Sequence, residues 1–125
     1  MEQKKSLFEI LEEIVKVDGR YEVEAYNFVL LAFNFSMSKF DEHRHISGKE
    51  LLEGIREYAL DQYGPMARTV LEHWGINTTE DFGKIVFNLV DNGLLGKSET
   101  DSIDDFKDVF DFSSAFDNPF RTNKQ

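Results

Sequence analysis

At 125 residues and without cysteine, the chain is one domain by length, and disulfides and thiol chemistry are excluded. Twelve phenylalanines supply apolar bulk for a core that needs neither disulfide staples nor a metal. Twenty-four acidic against fourteen basic residues give a formal net charge of −10. That balance argues against nucleic acid, which is held by Lys and Arg on its phosphates, and against anionic lipid.

In chain order, Glu9, Glu12 and Glu13 interrupt Leu7, Phe8, Ile10 and Leu11, so the start lacks a basic-then-apolar secretory signal. The spacing predicts a helix over about 5–17 with Leu7, Ile10, Leu11 and Ile14 inward, stopped by the Asp18-Gly19 turn signal. From Glu22 onward Val23, Tyr26, Phe28, Val29, Leu30, Leu31 and Phe33 are apolar nearly all round, as in a helix enclosed by others. Its end is expected to fray through FSMSKF into the polar loop DEHRH, a seam too short to act as a flexible linker. No apolar run reaches the roughly 18 residues of a membrane span. With the absence of cysteine, this points to a cytoplasmic protein.

Ser47-Gly48-Lys49-Glu50 is an S-x-x-E capping box. It opens a helix carrying Leu51, Leu52, Ile55, Tyr58, Ala59 and Tyr63 on one face, after a short extended His45-Ile46. The next stretch, GPMARTVLEHWGINTTEDFGKIVFNLVDNGLL, reads as two helices and a turn. Pro65 suits a first helical position, Met66, Val70, Leu71 and Trp74 form an inward stripe, and Gly75 is placed to end the helix. Asn77, Thr78 and Thr79 are candidate N-caps before Glu80 and Asp81. Phe82, Ile85, Val86, Leu89 and Val90 make the second stripe, and Gly93 terminates it.

Leu94-Leu95 is expected to begin a strand. Phe106, Phe110 and Phe112 share strand parity and would return as its hairpin partner, although Phe106, Val109 and Phe110 also fit a helix. A short helix over 111–116 and a disordered 121–125 complete the chain. The expected fold class is therefore α+β, mainly α: one domain over 1–120. A helical pair (about 5–40) would pack on a winged-helix-like half (about 44–116) ending in a small C-terminal β-hairpin.

The charge of that half directs the functional reading. The second helix of the pair offers Lys84 against Glu80, Asp81 and Asp91, and the wing offers Lys97 against Glu99, Asp101, Asp104 and Asp105. Such surfaces suit contact with protein. A non-catalytic protein-interaction or regulatory module is expected, with another polypeptide as partner and oligomeric state open. A helix-turn-helix nucleic-acid regulator is the runner-up, and a small-molecule-binding or enzymatic domain with a cavity of a few hundred Å³ comes third. No nucleophile elbow, P-loop, dinucleotide fingerprint or H-E-x-x-H occurs, so no catalytic residue or cofactor is assigned. His43 and His45, beside Asp41 and Glu42, fall short of the three or four converging ligands of a metal site.

The candidate interaction surface is Arg68, His73, Trp74, Tyr58 and Tyr63, residue types that dominate interface hot spots. Arg68 either pairs with Glu72 in the less favourable helical order or faces an acidic partner. His73 sits where a helix dipole favours a cation. Trp74 is either core or an exposed anchor. Phe112, Phe116 and Phe120, spaced at helical intervals among aspartates, either close the chain's own core or dock into a partner's groove.

RHISGKELLEGIREYAL, GPMARTVLEHWGI, TEDFGKIVFNLVDNGLL and DFKDVFDF together resemble a family of small uncharacterised bacterial proteins named for an apparent restriction to Verrucomicrobia and Planctomycetes. The likeness spans roughly Leu7 to Phe116. It implies a bacterial, cytoplasmic protein and carries no catalytic or ligand residue with it.

Overall fold

The structure, a computed structural model, describes residues 5–39, 45–96 and 102–120. Its α-helices are α1 (Leu7–Val17), α2 (Val23–Met37), α3 (Gly48–Tyr63), α4 (Ala67–His73) and α5 (Thr79–Asp91). Short helical turns follow at Ile103–Phe106, Ser113–Asp117 and Asn118–Phe120. Among the described residues there is no strand, so the expected α+β class is corrected to all-helical. No described helix is long and apolar enough to cross a membrane.

Helix ends follow local chemistry. Ser6 with Glu9, Ser47 with Glu50 and Thr78 with Asp81 each form a reciprocal capping box opening α1, α3 and α5. Two helices close in Schellman motifs: Ile76 N–H donates to Leu71 O at 2.9 Å behind Gly75 (φ 97°), and Leu94 N–H to Leu89 O at 2.9 Å behind Gly93 (φ 75°).

That second motif is why the expected β-hairpin is absent. Leu94 spends its amide on the last turn of α5 and packs, half-buried, against the core, so Leu94-Leu95 closes a helix and starts no strand. Between Phe106 and Phe112 the chain is neither strand nor helix. Phe106 ends a helical turn, Asp108 adopts a left-handed φ of 51°, and Val109 N–H donates to Thr79 Oγ1 at 3.1 Å. Among the described residues there is thus no hairpin and no wing (Lys97, Glu99 and Asp101 lie outside them), and the winged-helix-like half over 44–116 is corrected accordingly. The α4–α5 helix pair itself remains.

Phe106 sits in a niche built by two glycines. A methyl group on Gly83 of α5 would lie 2.7 Å from Phe106 Cβ, and one on Gly48 of α3 would lie 3.2 Å from its ring. The aromatic residue needs that bare backbone on both sides. Phe112 and Phe116 are buried with ring centroids 5.0 Å apart, and Phe82 stacks 6.0 Å from Phe112. Those two tail rings close the chain's own core, whereas Phe120 is exposed.

The central element is α2, which packs on α1, α3 and α5. Its end falls within the FSMSKF stretch. The helix runs to Met37, with Ser36 buried and its hydroxyl donating to Ala32 O at 2.8 Å. Gly54 of α3 lies against Ser36, and the missing side chain lets the two backbones approach. One buried cluster among the described residues draws on α1 to α5, from Leu11 in α1 to Phe116 near the end; of the DEHRH seam, all but His45 lies outside those residues. On α4 the buried residues are Ala67 and Leu71, while Met66, expected inward, is exposed on the preceding Gly64–Met66 turn. His43 and residues 121–125 lie outside the described residues.

A candidate polypeptide-binding groove

The turn between α1 and α2 is held by a polar network. Asp18 accepts from Arg20 Nε at 2.7 Å and from Asn88 Nδ2 at 3.0 Å, and Asn88 also donates to the Tyr26 hydroxyl at 3.0 Å. The Arg20 guanidinium holds the Asp18 carboxyl well below the usual carboxylate range. Tyr21, buried, donates to Asp81 at 2.5 Å, and burial followed by that carboxylate pushes its phenol far above the ordinary range. Gly75 completes the clamp. A side chain there would overlap the Arg20 carbonyl oxygen, and beside it Glu22 N–H donates to Trp74 O at 3.1 Å.

These constraints fix the start of α2 over the end of α4 and leave a groove between α1, α2, the last turns of α3 and Trp74. Its volume is about 630 Å³. Phe28 forms the hub of its aromatic floor, with ring centroids 5.5 Å from Tyr58, 6.1 Å from Tyr63 and 5.6 Å from Trp74. Tyr63 meets Trp74 edge-on at 5.9 Å. Burial, with Tyr58 alongside, raises the Tyr63 phenol, which stays protonated at neutral pH.

The walls are apolar and open to solvent. Leu7 is 44%, Phe8 58% and Leu31 46% exposed, and all three line the groove. The polar lining residues, Glu22, Glu24, Asn27 and Gln62, are exposed at its rim. No buried side-chain nitrogen or oxygen among the described residues lacks a hydrogen-bond partner.

Of the five residues singled out from sequence, Tyr58, Tyr63 and Trp74 converge here, each half-buried. Arg68 and His73 do not line the groove. Arg68 donates to Asp117 at 2.6 Å and to Glu72 at 3.0 Å, tying α4 to the C-terminal segment. Those carboxylates, Asp117 first, raise its pKa. His73 is exposed in the last turn of α4.

Sequence reasoning missed Phe8, the rim glutamates and the exposure of Leu7 and Leu31. One signal was present for the first helix. Adjacent residues on a helix lie about 100° apart, so Leu7 and Phe8 cannot both share the Leu11–Ile14 stripe. A second cleft of about 420 Å³, between Asn77–Thr79 and Asp108–Phe112, is more polar and brings none of the five together.

No protein-family model matches the chain, and neither a curated protein nor a solved structure matches it.

Proposed function

We propose that this chain is a cytoplasmic, non-catalytic interaction module that binds another polypeptide in the α1–α2–Trp74 groove. One observation carries the reading. Leu7, Phe8 and Leu31 stand exposed around an aromatic floor, on a chain whose charge is otherwise strongly negative. Large apolar side chains grouped on one face mark interaction sites, while scattered ones do not. Half-buried Trp and Tyr beneath them supply the rigid anchors on which interface energy concentrates.

The groove also has the volume that a small-molecule site requires. Its polar groups nevertheless lie in solvent at the rim, and its free surface is the side chains of Leu7, Phe8 and Leu31 over a floor of packed rings, an arrangement better matched to apolar side chains of a peptide. Kinship with the bacterial family named above belongs to the same proposal and adds no activity to it.

Trp74 is the sole tryptophan, so its emission reports on the groove. The test compares proteins retained from cell extract by the native chain, by Leu31→Glu and by Asp91→Asn, a surface control. Each retained protein is then purified and titrated against Trp74 fluorescence. A partner lost with Leu31→Glu, kept with Asp91→Asn and shifting Trp74 emission supports the proposal. Partners that ignore Leu31→Glu and leave Trp74 emission unchanged overturn it.

A further inference from the structure

We infer that the polypeptide seated in this groove is an amphipathic α-helix with basic residues flanking its apolar face. The inference rests on the groove being a polypeptide site and names the chemistry of its occupant.

Charge is the first ground. Among the described residues lining the groove, Glu22 and Glu24 are the charged ones, and no described cation joins them. Neither carboxylate is in an ion pair among the described residues, whereas Lys5, Arg20, Lys39, Arg56 and Arg68 each have a carboxylate partner. Among the described residues the mouth of the groove therefore carries two carboxylates without a cation over an apolar floor, and a complementary occupant places Lys or Arg beside its hydrophobic stripe.

Backbone geometry is the second. Strand addition needs an open sheet edge, and the described residues contain no strand. A polyproline ligand needs bare aromatic faces, but the rings of Tyr58, Tyr63 and Trp74 are each packed on Phe28, and Tyr63 also on Trp74. What stands free is largely aliphatic, Leu7 and Leu31 with Phe8, on walls formed by α1 and α2. A trough between two helices accepts a third through side chains recurring at i, i+3 or i+4, and i+7.

The experiment titrates the full chain, by Trp74 fluorescence, with four synthetic peptides of equal length. Three share one leucine stripe and carry Lys, Gln or Glu on its flanks, and the fourth is proline-rich. The Lys peptide is expected to bind roughly three- to tenfold tighter than the Gln peptide, as two solvent-exposed ion pairs allow, and to lose that margin in high salt. Glu22→Gln with Glu24→Gln removes the margin. Asp91→Asn with Asp104→Asn, the same change in net charge outside the groove, leaves it.

Equal binding of the Lys and Gln peptides overturns the basic flank and spares the groove. So does a margin reduced equally by both charge variants, which assigns the attraction to the overall negative field. Preference for the proline-rich peptide overturns the helical occupant. If no peptide binds, this inference fails. The groove reading fails with it only if Leu31→Glu also leaves the proteins captured from extract unchanged.

Discussion

The contact between Gly54 and Ser36 sets the spacing of α2 and α3 and provides a quantitative test of the core. Gly54→Ala would place a methyl group 2.7 Å from Ser36 Cβ and overlapping its hydroxyl. Two effects oppose each other. Alanine in a helix interior is favoured over glycine by about 1 kcal/mol. Overpacking a tight core costs about 1–3 kcal/mol, and a side chain as short as serine has little room to move aside. The clash should win, leaving Gly54→Ala less stable by up to about 2 kcal/mol.

Ser36→Gly removes both contacting atoms and leaves only Ser36 Cα, at 3.4 Å, an ordinary contact distance. Ser36 is the second-last residue of α2, so its own propensity loss is small. The double variant should return close to the native stability, a coupling of about 2 kcal/mol between directly contacting positions. Urea unfolding followed by circular dichroism on the four proteins measures that cycle. If Gly54→Ala proves at least as stable as the native chain and the coupling is zero, the close α2–α3 approach is refuted.

Three further outcomes follow from the same contacts. Gly83→Ala should destabilise the fold by up to about 2 kcal/mol in urea unfolding despite its better helix propensity, because Phe106 occupies the space of the new methyl group. Were Phe106 on a hairpin away from α5, the same change would be neutral or stabilising. Tyr21→Phe should cost about 2 kcal/mol by loss of a hydrogen bond to a carboxylate, and should cost less in an Asp81→Asn background, where that carboxylate is already gone. The Asp18 carboxyl titrates lower in the folded chain than in the unfolded one, so its contribution is whole above the unfolded value of about 4 and shrinks as the pH falls below it. Asp18→Asn should therefore flatten the acid limb of the stability profile and lower stability at neutral pH.

The helices were largely legible in the sequence because their signals act over one turn. Ser47 with Glu50, Gly75 and Gly93 mark the ends that the structure shows. Aromatic parity between Phe106 and Phe112 misled for a matching reason. Alternation says that residues could face one way along a strand, while only a partner supplying backbone hydrogen bonds makes it a strand. Here the Leu94 amide is already used by α5 and the Val109 amide by Thr79. For the groove, the sequence singled out Tyr58, Tyr63 and Trp74 as one set of aromatic anchors, but it placed Arg68 beside them and missed Phe8. Arg68 is instead held by Asp117, 49 positions along the chain, a separation no periodicity reports.

What the sequence determined by itself was the set of capped helices, the aromatic supply for a core and the negative coat, since capping closes within a few residues and net charge is a sum. The tertiary structure decided which apolar residues stay outside. Leu7, Phe8 and Leu31 are as hydrophobic as Leu11 and Val29, yet burial depends on whether another element arrives to cover a face. The clamp at Gly75 and Tyr21 sets the angle at which α2 leaves that face open.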